Sequence, residues 1–416
     1  MTLRRWLLIA IGGLSLIVLV GGVAVAALAL NWLGREAPRT AQELLVVGAD
    51  RRLTLFSASG SQRILAEDQS DDLFRYPSSA PDGGRIIYMS SDREGVALMS
   101  LDLASGTRAL LYRSSGEPPL YAGWSPDGRH VSFLINRRGG GLAAYIVPAD
   151  GSREAALIGT SEASTYFAWR PDGRVLLLHT GSSRNGPGRI ATFAPGNPEP
   201  LSEMDDPGFF QAPAWSVTGE AFFYVAQPAV RGALTPDQVE SVLTRRPADG
   251  GPPQVLASER QAALLFSRAP SSDDLAYTTV GPGGFGPLKL VAADGSPARL
   301  ISRPDQAVMA FFWSPDGSQI AYLTAAPRQQ GGLPELTWHT VTLTDGRVRD
   351  LASFTPSPAF AALLNFFDAY AITLDLWSPD GRELVYGGSD GVYALPVMGG
   401  EPRRVADGVL GLWMRQ

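Results

Sequence analysis

The residues that could carry chemistry in this chain are few and far apart. "GGSDG", residues 387 to 391, has the Gly-x-Ser-x-Gly spelling of a nucleophile elbow, with Ser389 as the attacking group. An elbow needs a strand-to-helix turn and a histidine after the nucleophile. All three histidines, His130, His179 and His339, precede Ser389, and the residues around it read as a hairpin between two strands. No two histidines share metal-ligand spacing, so each is expected exposed or bonded to a neighbouring strand. "GPGGFG", residues 281 to 286, has the glycine spacing of a dinucleotide loop. The "PLKLVAADG" that follows reads as strand and turn, not as the helix whose N-terminus would meet a pyrophosphate. Asp68, Ser70 and Asp72 alternate like the start of a calcium loop, without the glycine and distal glutamate of an EF-hand. No catalytic residue, metal or cofactor is expected.

The elements that hold these residues are written in a repeat. "SAPDGGRIIYM" (79 to 89), "WSPDGRHVSFL" (124 to 134), "WRPDGRVLLLH" (169 to 179), "WSVTGEAFFYV" (215 to 225), "RAPSSDDLAYT" (268 to 278), "WSPDGSQIAYL" (313 to 323) and "WSPDGRELVYG" (377 to 387) start 45, 45, 46, 53, 45 and 64 residues apart. Such a period marks an array of supersecondary units, here with two insertions. In each copy proline presets φ, aspartate bonds back to nearby N–H groups, and glycine accepts the positive φ that closes a tight turn. These roles account for Asp82, Asp127, Asp172, Asp316 and Asp380 without catalysis. Tryptophan is large enough to fill the gap where one sheet packs on the next. A strand–Gly-turn–strand signature follows each copy, as in "VPADGSREAALI" (147 to 158), giving four strands per repeat. Two copies depart from the pattern: "WSVTG" lacks proline and aspartate, and Arg268 stands for tryptophan with Ser271-Ser272 for Asp-Gly.

"LLVVGADRRLTLFSASGSQRIL", residues 44 to 65, has only the second half of a repeat, and the chain ends on an unpartnered strand, "VLGLWMRQ", residues 409 to 416. Joining the two removes exposed sheet edges. The fold class is therefore all-β: an eight-bladed β-propeller closed by the C-terminal strand, or a seven-bladed one if residues 44 to 65 pack elsewhere. The Trp-Ser-Pro-Asp-Gly repeat resembles those of the periplasmic translocation protein TolB and of the propeller domains of prolyl oligopeptidases and dipeptidyl peptidase IV, over essentially residues 44 to 416. Because that scaffold serves unrelated functions, the likeness speaks for fold more than function. The hydrolase domain of the peptidases has no room in this chain.

Residues 7 to 30 are uncharged and apolar, long enough at 1.5 Å per residue to cross a bilayer core of about 30 Å. Trp6 and Trp32 flank the run, and Arg4 and Arg5 precede it, which orients the N-terminus to the cytoplasm. The expected organisation is a cytoplasmic tip and transmembrane anchor over 1 to 34, a linker over 35 to 43, and a propeller over 44 to 416 on the outer side of the plasma membrane. The alternative is secretion after cleavage near Ala24-Val25-Ala26. With Arg4 and Arg5 set aside the formal charge of −6 becomes −8, which argues against nucleic acid as a partner. Cysteine is absent and silent on compartment.

Both long intervals carry extra sequence. Thr235-Pro236 near the first reads as the start of a single helical turn. The second holds "ASFTPSPAFAALLNFFDAYAIT", residues 352 to 373, too apolar for a free loop. It either folds back over the propeller or exposes a patch that a partner covers. Phe354, Phe360, Phe366, Phe367, Asp368 and Tyr370 are its partner-binding candidates. The function expected is a non-enzymatic platform in the bacterial envelope that binds a protein or peptide, with the bilayer as second partner through the N-terminal helix. The alternative is a hydrolase or lyase with its site at the central channel.

Overall fold

Alternating apolar strands joined by glycine turns cannot bury a face alone, and here they do so by stacking as blades. In the computed structural model, residues 42–67, 75–162, 164–181, 188–205, 211–226, 240–326 and 333–416 are described. The expected membrane helix, nearly all of the linker, the Asp68–Asp72 loop and the Thr235-Pro236 turn lie outside these residues. Among the described residues no helix is long and apolar enough to cross a membrane.

Eight antiparallel sheets follow one another along residues 43–416. Blade 1 takes its innermost strand from the end of the chain: Leu410–Trp413 pairs with Leu44–Val47, with Leu44 opposite Trp413 and Val47 opposite Leu410. Arg52–Phe56 and Gln62–Glu67 complete it. Blades 2 to 7 begin with inner strands Arg75–Ser79, Pro119–Trp124, Thr165–Trp169, Ala214–Trp215, Ala263–Arg268 and Val308–Trp313. Blade 8 has three strands, Glu383–Gly388, Gly391–Pro396 and Arg403–Ala406, and its inner edge is reduced to two isolated bridges, Trp377 to Leu384 and Pro356 to Gly388. Eight sheets exclude the seven-bladed alternative, and the closure is the one expected.

The repeated turn is built as its spelling requires. In blade 3 the Ser125 N–H donates to His130 O and the Gly128 N–H to Ser125 O, both at 2.9 Å, with Gly128 at φ 66°. Ser125 Oγ donates to Asp127 at 2.6 Å, and Asp127 accepts the Arg129 N–H. Ser314 with Asp316 and Ser378 with Asp380 repeat the pair. These serines and aspartates are consumed by turn geometry. The irregular "WSVTG" keeps the scheme with Thr218 in the place of aspartate.

The tryptophans do more than fill space. Trp124 Nε1 donates to Ser78 O, Trp215 to Ala168 O, Trp313 to Ser267 O and Trp377 to Phe312 O, at 3.0 to 3.2 Å. Each acceptor belongs to the inner strand of the preceding blade, so every such indole staples two blades. Trp169 reaches Ser132 Oγ at 2.9 Å instead. A staple of this kind stabilises by about 1 kcal/mol beyond the buried ring area.

Candidate functional site

The segment after blade 7 shapes the centre of the ring. Ser357 caps helix α1 (Pro358–Leu364) by accepting the Phe360 N–H at 3.0 Å, and Pro358 occupies the first turn, where its missing N–H costs nothing. One turn later comes helix α2 (Phe367–Tyr370). The segment then runs down the channel into blade 8.

Its contacts come from inner strands around the ring. Tyr121 of blade 3 donates through its hydroxyl to Ala369 O at 2.9 Å. The Ala212 N–H, at the start of blade 5, donates to Asp368 Oδ2 at 2.8 Å. Ser78 of blade 2 donates to Thr373 O at 3.1 Å. Phe367 meets Phe311 of blade 7, and Tyr370 meets Tyr76 and Tyr121, with ring centroids 4.9, 4.8 and 5.2 Å apart. A Cβ on Gly123 would come within 3.3 Å of Phe167 and Thr373, so glycine permits this close approach. At the far end Trp413 N–H donates to Asp375 O, and Arg415 Nε contacts the Asp375 carboxylate at 2.9 Å. The segment is a plug that ties blades 1, 2, 3, 5, 7 and 8 together across the axis.

Of the six expected partner-binding residues, Phe354, Phe360, Phe367, Asp368 and Tyr370 are buried. Only Phe366, at 44 % exposure, reaches the surface. The six therefore form no exposed contact patch. Apolar side chains followed the strongest free-energy gradient and packed on the inner strands.

Below the plug, where the first-to-second-strand turns lie, a cavity of about 310 Å³ remains. Its walls come from the turn ends of blades 2 to 6, among them Trp124, Trp169, Trp215 and Arg268 with Pro81, Pro126 and Pro171. The plug supplies Asp368, Ile372 and Thr373, and the C-terminal strand's extension supplies Arg415. Burial pushes the Asp368 carboxyl up to about 6, against the backbone N–H groups of Ala212, Ala369 and Asp368 itself. Burial likewise raises the hydroxyls of Tyr121, Tyr166 and Tyr370, with Asp368 adding to the rise at Tyr121 and Tyr166. Burial also raises Asp375, partly offset by Arg415. The cavity thus joins apolar walls to two guanidinium groups and one carboxyl that titrates near neutrality.

The other groups singled out by type resolve into structure. Ser389 lies in the hairpin between Glu383–Gly388 and Gly391–Pro396, and its N–H donates to Thr355 O. "GPGGFG" is a hairpin tip with Gly281 opposite Gly284, followed by strand Lys289–Val291. His179 is buried, with Nδ1 2.8 Å from Gln211 O. His130 stacks on Trp169. His339 sits between Thr324 Oγ1 at 2.8 Å and Asp350 Oδ1 at 2.7 Å, a hydroxyl–imidazole–carboxylate row. The three residues come from the second, third and fourth strands of blade 7, and Asp350 also takes a two-pronged contact from Arg303. The row is a cross-strand strut, stacked on Tyr322, and none of its residues lines the channel cavity.

Neither a protein-family model nor a curated protein matches the chain. Among solved structures, a prolyl endopeptidase superposes with a TM-score of 0.56 at 15 % identity over 82 % of this chain and 50 % of its own. The β-propeller domain of the Trilobed protease from Pyrococcus furiosus superposes with a TM-score of 0.51 at 12 % identity, over 80 % of this chain and 98 % of its own. The shared fold is the β-propeller. TolB from Acinetobacter baumannii also matches, at 19 % identity and a TM-score of 0.39, over 74 % of this chain and 62 % of its own. This propeller spans half the length of the prolyl endopeptidase. The Trilobed protease domain has an open velcro topology. Here the ring is shut by Leu410–Trp413 on Leu44–Val47.

Proposed function

We propose that the chain is a membrane-anchored, extracytoplasmic β-propeller that serves as a non-enzymatic binding platform, with residues 7 to 30 as the anchor and a protein or peptide ligand received at the channel-end cavity. The observation that carries this reading is the chemistry of the cavity wall. Among the described residues that line it, Asp368 is the single carboxyl, held by the Ala212 N–H, and none is a histidine, while indole, phenyl and proline surfaces make up most of the wall. Apolar walls with a few fixed polar groups are what ligand recognition uses. The plug supports the reading by giving the cavity a closed floor, which a through-channel would lack.

The test places a photo-crosslinking amino acid at Ile372, which is 44 % exposed and lines the cavity, or at Phe366, which is equally exposed but does not. In native membranes the Ile372 position yields a discrete adduct and the Phe366 position does not. Adducts from Phe366 alone, or recovery of the protein in the soluble cytoplasmic fraction, would refute the proposal.

A further inference from the structure

Blades 3, 4, 5, 7 and 8 place tryptophan at the head of the repeated turn, but blade 6 places Arg268 there. The exchange removes the staple that an indole N–H would make to blade 5. One nitrogen of the guanidinium bonds locally instead. Nη1 donates to Ser272 O at 2.9 Å and also to Ala269 O, holding a turn that lacks the usual glycine. Those carbonyls fix the plane of the group. The described residues offer acceptors only to Nη1, so Nε and Nη2 remain, and Arg268 makes no ion pair among the described residues. Asp273 acts on it through space and accepts the Val217 N–H at 2.8 Å.

The other charges on the cavity wall are spoken for or neutralisable. Arg415 is matched by Asp375, with Nε 3.1 and 2.9 Å from the two carboxylate oxygens. Asp368 is bonded to the Ala212 N–H. A planar cation with unused donors, held rigid beside indoles and prolines in about 310 Å³ of space, is a receptor for a planar anion on an apolar body.

We propose that Arg268 anchors the carboxylate of an apolar acid in this cavity, the free C-terminal carboxylate of a peptide ending in an apolar residue being the macromolecular form. The proposal rests on the cavity-binding reading above and adds the ligand's chemistry to it. It also gives blade 6 a reason for abandoning tryptophan.

The probes are 3-phenylpropionate and its amide, and N-acetyl-Ala-Ala-Phe with a free or an amidated C-terminus, titrated against the full chain by ligand-observed saturation-transfer NMR. A charge-assisted bond to an oriented guanidinium makes each acid bind about tenfold to a hundredfold more tightly than its amide. In Arg268→Gln that preference falls to near unity while amide binding persists, and Arg268→Lys keeps part of it. Arg268→Trp exchanges the local bonds of Arg268 for the repeat's own indole bond to the preceding blade, and it loses acid binding; it serves as the second variant if the glutamine form does not fold. Preference for the acid only in the tripeptide pair identifies a peptide terminus as the source, and preference in both pairs identifies the carboxylate alone as sufficient. Equal binding of acid and amide by the wild type, or a preference that survives Arg268→Gln, overturns the carboxylate assignment and leaves the cavity reading standing. Failure of all four probes to bind overturns both.

Discussion

Replacing Asp368 by asparagine tests the physics of the plug without altering its shape. The carboxyl rises from 3.8 to about 6 because folding buries it, and the Ala212 N–H offsets only part of that cost. At 1.36 kcal/mol per pH unit this rise corresponds to about 3 kcal/mol of strain when the group is ionised. The sign follows from linkage. A carboxyl whose folded value lies above its unfolded value contributes fully below about pH 4, and that stability is lost as the pH climbs through about 6. Asparagine keeps an oxygen for the Ala212 N–H and carries no charge. Asp368→Asn should therefore match the wild type at pH 4 and exceed it by up to about 3 kcal/mol at pH 8. Asp375 shifts in the same direction but is present in both proteins, so it cancels in the difference. Guanidinium unfolding midpoints at pH 4, 5, 6, 7 and 8 give the comparison. A difference that does not change with pH, or an asparagine variant less stable at pH 8, would refute the burial argument.

Arg415→Gln leaves Asp375 with Ser79 as its remaining side-chain donor, and since the pair is about three-quarters enclosed the loss at pH 7 should be about 1–3 kcal/mol, shrinking as the pH falls because burial raises the Asp375 carboxyl; paired melts at high and low pH measure it. Phe360→Ala empties a fully buried site among Phe354, Trp338 and blade 8, and should cost about 3–5 kcal/mol in denaturant titration. Ending the chain at Val409 removes buried Leu410, Leu412, Trp413 and Met414 with the closing strand; at about 1.5–3 kcal/mol per side chain, the loss should lower the thermal midpoint by about 10 °C, read by calorimetry.

The fold was legible because the turn chemistry is written out in the sequence. Pro-Asp-Gly, present in five of the seven copies, fixes a hairpin by local sterics, and four of the six intervals at 45 or 46 residues leave little freedom for their arrangement. Closure was legible too, since an orphan half-repeat over residues 44 to 65 and an orphan strand over 409 to 416 have one economical pairing. Blade 8 was not: its inner strand shrinks to the Pro356 and Trp377 bridges because the residues between them are drawn into the plug, a tertiary effect that no local spelling carries. The apolar insert announced itself through Phe360, Phe366, Phe367 and Tyr370, but not its destination. The sequence does contain the start of α1, for Ser357-Pro358 is a cap followed by a first-turn proline. The cavity was invisible because its walls are residues 45 apart that meet only when the ring closes. One of them left a trace, in Arg268 where the repeat has tryptophan, and that departure is explained locally by its hold on Ser272 O and functionally by the charge it brings to the cavity.

The central claim is that residues 357 to 376 seal the channel and leave one end as a built cavity. Amide hydrogen exchange on the unmodified chain tests it most directly, by comparing peptides covering residues 367 to 374 with those of the inner strand Pro119–Trp124. A seated plug predicts slow exchange at Tyr370, Ala371 and Leu374, whose N–H groups are bonded to Phe366, Phe367 and Tyr370 carbonyls in the channel, and at Ala212, bonded to Asp368. Exchange of these amides within seconds, while Pro119–Trp124 stays protected, would contradict the account.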